Sequence, residues 1–266
     1  MKTKTIKTVT ILFLFLSFFN VNAQKNKNKT ASEDNIVTFY IARHGKTMMN
    51  TLKRAQGWAD TPLTPQGIEV AEYLGKGLKD ISFKAAYSSD LGRAHQTARI
   101  VLDTKGDKNM NIITNAGFRE ACFGRFEGDL NDNMLTAASI YMHYPSTEAM
   151  LKDSGEKMMR DLFSAIKAMD NLGMAENFDD LRYRTQRAFQ EIAEKEAATG
   201  GGNILLTSHG LAIEVMLSGY DSKIPVTAQL GNASVSKVIY KNGKFTVESV
   251  GDMSYVEKGK KELSSK

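Results

Sequence analysis

A three-layer α/β fold is what this sequence predicts: a mostly parallel sheet with helices on both faces and a helical insertion. Three observations carry the prediction. Short β-branched apolar runs have the length and composition of strands buried on both faces. Apolar residues return between them at helical spacing. The alternation of the two patterns calls for parallel strands joined by helical crossovers. Ile36 to Ala42 (IVTFYIA) is the first strand. Thr64 and Pro65 read as an N-cap and first helical position, and Ile68, Ala71, Leu74 and Leu78 follow on one face. Ala85 to Ser88 is a second strand, with a helix from about Gly92 to Leu102. After Gly200-Gly201-Gly202, Asn203 to Thr207 forms a third strand, and a helix runs from Leu211 to Leu217. Val235 to Tyr240 and Phe245 to Val250 flank Asn242-Gly243, which suits a type I′ hairpin.

From about Asp129 to Ala198 the pattern is helical throughout and reads as an insertion beside the sheet. Met158, Met159, Leu162, Phe163, Ile166 and Met169 mark one helix, and Leu181, Ala188, Phe189 and Ile192 another. The methionines of this region are read as core packing rather than as a ligand-gripping surface.

Composition narrows the class. Of 266 residues, 42% are hydrophobic and 24% charged, as in an ordinary globular chain. The single cysteine, Cys122, excludes an intramolecular disulfide and a Cys-based zinc cluster. The net charge of +5 is local: setting aside Lys2, Lys4, Lys7, Lys25, Lys27 and Lys29 leaves 29 basic against 30 acidic residues. No nucleic-acid partner is expected of a neutral folded part. Those first lysines precede the apolar run Val9 to Phe19, and Val21-Asn22-Ala23 offers a cleavage site. Residues 1–23 therefore read as a signal peptide, 24–35 as a flexible leader, 36–256 as the folded domain and 257–266 as a polar tail. Export, to a periplasm or outside the cell, is expected, with no membrane association after cleavage.

The chemistry falls just after the strands, where open α/β sheets place their ligands. Strand one ends in Arg43-His44-Gly45, strand two is followed by Ser88 to Arg93, and strand three ends in Ser208-His209-Gly210. Two histidines and two arginines at strand ends make a cationic pocket with a candidate nucleophile. Such a pocket suits phosphate, because the guanidinium fork matches its oxygens and imidazole can attack phosphorus.

The segments RHGKTMMN (43–50), QGWADTPLTPQG (56–67), SSDLGRAHQTA (88–98), REACFGRFEG (119–128) and SHG (208–210) resemble the histidine phosphatase superfamily. The likeness is to the branch of phosphoglycerate mutases and broad-specificity phosphatases. It implies His44 as the nucleophile that becomes phosphohistidine. It assigns Arg43, Arg93, His209 and Asn50 to the phosphoryl oxygens, and Glu120 as proton donor to the leaving group. Cations held in place suffice for such a transfer, so no metal and no cofactor are expected. Lys46 and Val70 depart from the family's pattern and bear on substrate preference. Arg119 and Arg125 are read as solvated or substrate-reaching, Trp58 as a rim or packing residue, and His95 as structural.

The function this implies is an exported, metal-independent phosphomonoesterase acting on a small phosphate ester. Two alternatives share the fold: a cofactor-dependent phosphoglycerate mutase, and a non-catalytic phospho-ligand binding protein. Retention of His44, Arg43, Arg93, Glu120 and His209 argues against the last.

Overall fold

The computed structural model describes residues 35–153 and 155–265. The segment read as a signal peptide, and all of the leader but Asn35, lie outside the described residues. In chain order the elements begin β1 (Val37–Arg43), α1 (Met48–Thr51), α2 (Pro65–Gly77), β2 (Phe83–Ser88), α3 (Gly92–Lys105) and β3 (Ile112–Thr114). Then come α4 (Asn131–Tyr141), α5 (Thr147–Lys152), α6 (Glu156–Met169) and α7 (Phe178–Ala198). The chain closes with β4 (Gly202–Ser208), α8 (Gly210–Ser218), β5 (Val235–Lys241), β6 (Lys244–Asp252) and α9 (Ser254–Ser264).

The sheet runs β3-β2-β4-β1-β5-β6. The first four are mutually parallel, and β5 and β6 are added antiparallel beside β1. The hairpin turn takes φ 52° at Asn242 and 79° at Gly243, as a type I′ turn requires. Along β1 the side chains alternate between two buried layers. Val37, Phe39 and Ile41 pack with Phe189 and Ile192 of α7 and Ile213 and Leu217 of α8. Tyr40 and Ala42 pack with Leu74 and Leu78, Val101 and Leu102 of α3, and Val256 of α9. This is why the strand reads as an unbroken apolar run rather than an alternating one.

Three sequence expectations change. The region 129–198 is not one insertion, because α7 is itself a layer of the sheet; only α4, α5 and α6 form a cap. The cap shares a core with the start of α7, in which Met134, Met150, Met159 and Phe163 meet Phe178 and Leu181. β3 escaped notice because it is three residues long and its side chains are largely exposed. The expected polar tail is most of α9, which lies against α2. Gly77 and Gly259 meet there: a Cβ on Gly77 would overlap the Tyr255 carbonyl oxygen, and one on Gly259 the Tyr73 carbonyl oxygen. Small residues at the crossing let a largely polar helix dock by backbone approach.

Candidate active site

Strand register builds the centre of the site. β1 and β4 are parallel neighbours with Arg43 opposite Ser208, so the residues that leave them, His44 and His209, emerge side by side. Their ring centroids are 5.1 Å apart. The His44 backbone N–H donates to the Ser208 carbonyl at 3.0 Å, and the Asn232 amide donates to the His44 carbonyl at 3.0 Å.

The His44 ring has a defined orientation. Its Nδ1 lies 2.7 Å from the Gly45 carbonyl oxygen, an acceptor only, so Nδ1 carries the proton. Nε2 then holds the lone pair, and it makes no hydrogen bond among the described residues. Burial, with Arg93 and Arg43 nearby, holds the imidazole well below its ordinary pKa, outweighing the Gly45 bond. His209 is pushed the same way by burial, Arg93 and His44, and neither of its ring nitrogens has a partner. At neutral pH both rings are uncharged.

Arg93, 1% exposed, points from the first turn of α3 into the loop after α1. Its Nη1 donates to the Ala59 carbonyl and the Asp60 carboxylate, both at 3.0 Å, and its Nη2 to the Gly57 carbonyl at 2.8 Å. That loop is itself held by Glu127, whose carboxylate accepts from the backbone N–H groups of Gly57, Trp58, Ala59 and Phe123. Arg43 is anchored through Nη1 on the Leu230 carbonyl. The buried Nε atoms of both arginines have no partner.

Glu120 sits at the start of α8. Its Oε1 accepts from Ala121 N–H at 3.0 Å and Ala212 N–H at 2.8 Å, and its Oε2 from Leu211 N–H at 3.1 Å. Burial raises its pKa, and the three N–H groups and Arg93 only partly offset this. Its backbone carbonyl accepts from Trp58 Nε1 at 3.0 Å and from Arg184 at 2.7 Å. Arg184, on α7, also donates to the Gly117 and Arg119 carbonyls and pairs with Glu176.

The remaining candidates separate. Asn50 lines the cavity, but its Oδ1 is engaged by Thr47 N–H in a capping box at α1, which leaves its amide N–H groups as donors. Arg119 is committed to Asp90 and lies over the Trp58 ring, 4.8 Å from its centroid. Cys122 is buried, and His95 is exposed on α3. Glu127, Arg184 and Asn232 were not singled out from sequence. Glu127 lies within the quoted REACFGRFEG segment, but nothing local shows that its carboxylate folds back onto residues 57–59.

A cavity of about 480 Å³ opens on this centre, with Arg43, Asn50, Gln56 and Glu120 in its polar end and residues of α4 and α6 in its wall. Met134, Met158 and Met159 line it as well as packing the cap. His44, Arg93 and His209 are 3%, 1% and 0% exposed and lie behind the lining residues Arg43, Glu120 and Gly210.

Arg43, the buried Arg93 and two buried imidazoles meet beyond the ends of parallel strands, a pattern that suits a phosphoryl group. The sequence profile of the histidine phosphatase superfamily (branch 1) matches residues 39–253, and the chain belongs to that family, whose enzymes act as phosphatases or mutases. It is similar to a phosphoglycerate mutase from Bacillus anthracis: 44% identical, TM-score 0.81, covering 86% of this chain and 98% of the other. YhfR of Bacillus stearothermophilus is 27% identical with a TM-score of 0.64, covering 83% of this chain and 99% of that one. A probable phosphoglycerate mutase, GpmB, of Yersinia pestis is 29% identical over 226 residues, covering 82% of this chain and 94% of the other.

Proposed function

We propose that this protein is an exported phosphomonoester hydrolase that works through phosphohistidine at His44 without a metal. The observation that carries the reading is the Nδ1 contact with the Gly45 carbonyl, which leaves a lone pair at Nε2 near the buried Arg93 and the half-buried Arg43. In the first step Nε2 forms a bond to phosphorus as the ester P–O bond breaks, and Glu120 gives its proton to the departing alkoxide. In the second, water attacks phosphorus, the N–P bond breaks, and Glu120 takes the proton from water. Arg43, Arg93 and His209 hold the equatorial oxygens, where negative charge is spread in the transition state, and Asn50 assists with an amide donor. A raised carboxyl pKa suits a donor that must be protonated when substrate binds.

Brief incubation with labelled ester followed by quenching should give an acid-labile, alkali-stable phosphoprotein that His44→Ala lacks. Label on Ser, Asp or Cys would overturn the assignment, as would activity that EDTA removes and added divalent metal restores. Export rests on the lysines, apolar run and Val21-Asn22-Ala23 at the N-terminus. Sequencing the protein recovered outside the cytoplasm should find Gln24 first.

A second reading, phosphoglycerate mutase, is favoured by the 44% identical relative of that name. A mutase must keep the phosphoryl group on His44 until the partner molecule is rebound, and export separates the protein from the cytoplasmic phosphoglycerate pool. Incubation with 3-phosphoglycerate and a bisphosphoglycerate primer discriminates: isomerisation faster than phosphate release would establish the mutase.

A further inference from the structure

Beyond its polar end the cavity wall is built by Met134 of α4 and by Met158, Met159, Leu162, Phe163 and Ile166 of α6. All but Met158 are at most 7% exposed, so the wall is also the core of the cap and holds its shape. The charged groups of the lining are few. Arg43 and Glu120 belong to the phosphoryl end. Arg54 is exposed and donates to the Gly128 carbonyl at 2.6 Å, and Asp153 is exposed and accepts from the Tyr144 hydroxyl at 2.5 Å. Away from the phosphoryl end, a second anionic group on a substrate would therefore meet one cation at the rim, a carboxylate, the neutral side chains of Asn131, Thr227 and Gln229, and otherwise thioether and hydrocarbon. Removing such a group from water without a partner is unfavourable. Burying an apolar group in the same wall is favourable, and methionine adapts to its outline.

We infer that the alcohol half of the substrate is uncharged and largely apolar, an aryl or medium-chain alkyl group, rather than a phosphorylated carboxylic acid or a bisphosphate. The inference rests on the proposal that an ester delivers its phosphoryl group to His44 from the polar end. The volume of about 480 Å³ lies in the range of sites for organic ligands of moderate size.

Two measurements on the full mature chain test this. The first is calorimetric binding of methyl-, butyl- and octylphosphonate, which cannot be hydrolysed and so report on the cavity whether or not turnover occurs. Affinity should tighten along the series, by up to roughly fourfold per fully buried methylene. The second is kcat/KM for octyl phosphate against 3-phosphoglycerate, where the alkyl ester should lead by roughly 10²-fold, the equivalent of about three to four fully buried methylenes. Met158→Gln, at the half-buried position, should flatten the chain-length dependence, and Met158→Leu should keep it. Affinity that is flat from methyl to octyl, or 3-phosphoglycerate preferred over octyl phosphate, would overturn the inference. Chain-length dependence in binding with no turnover of any ester would instead overturn the hydrolase reading and leave the apolar site standing.

Discussion

Glu127 holds the Gly57 N–H at 3.1 Å while the Gly57 carbonyl accepts from Arg93 at 2.8 Å, so one residue couples a loop carboxylate to the buried guanidinium. Trp58 and Ala59 extend the coupling, the first through its N–H to Glu127, the second through its N–H to Glu127 and its carbonyl to Arg93. Arg93 is thus aimed by a frame that a residue 34 positions downstream keeps in shape.

Glu127→Ala should leave those N–H groups without their acceptor and destabilise the fold by at least ~2 kcal/mol, as expected for lost bonds to a charged group. It should also weaken inhibition by vanadate, which reads the alignment of Arg93 rather than stability. Glu127→Gln, retaining one good acceptor oxygen, should fall between. Unchanged vanadate affinity in the folded Ala variant would mean that Arg93 needs no such frame.

The pH profile of kcat/KM should show two displaced limbs. His44 must be unprotonated at Nε2, so activity falls as pH drops through its pKa, which burial and the neighbouring arginines place well below the ordinary 6.5. Glu120 must be protonated, so activity falls as pH rises through its pKa, which burial places above the ordinary 4.5. The two displacements leave activity between an acid limb set by His44 and an alkaline limb set by Glu120. Glu120→Gln should remove the alkaline limb and slow single-turnover phosphorylation by alkyl phosphates by ~10²–10⁴-fold, and by p-nitrophenyl phosphate much less. Equal losses with both would make Glu120 a scaffold residue.

Stability should depend on pH for a related reason. His44 and His209 have folded-state pKa values below the unfolded one, so unfolding takes up protons once pH falls below about 6.5. Stability is therefore lost as pH drops from there toward the folded values. Denaturant midpoints between pH 7.5 and 5 should decline, and His209→Asn should reduce the slope. A slope untouched by that substitution would place the uptake elsewhere.

Gly259→Ala tests the docking of α9. The added methyl group would overlap the Tyr73 carbonyl oxygen and press the Gly77 backbone nitrogen at 2.8 Å, so the two helices must separate. A loss of about 1–3 kcal/mol is expected, the usual range for overpacking. Truncation before Ser254 should expose Leu74 and Leu78 and lower Tm further. An unaltered melting curve for both variants would show that α9 is dispensable.

The parts of the fold and site set by local pattern were legible in the sequence. β1, β2, β4, α2, α3, α8 and the hairpin follow from apolar runs, caps and turn residues. The placing of His44, Arg93 and His209 at strand ends follows from position within those runs. What stayed hidden depends on contacts between distant segments. No local pattern shows that Phe189 of α7 packs against Phe39 of β1, so α7 read as part of the insertion. The acceptor for His44 Nδ1 lies one residue away, yet the same dipeptide in another backbone conformation would point that carbonyl elsewhere. α9 shows a polar composition because it buries only Val256 and Gly259, the glycine by backbone approach to α2.

Arg184 reaches from α7 to the carbonyls of Gly117, Arg119 and Glu120, so the layer that covers the sheet braces the acid loop by hydrogen bonds, while Phe123 packs on Phe163 of α6. The hydrogen bonds that set the Glu120 carboxylate thus come from its own loop and α8, and the cap adds only packing. Exchanging residues 131–169 for a cap with another lining would therefore have to keep an apolar partner for Phe123, so that the roof changes while the footing of the acid loop does not.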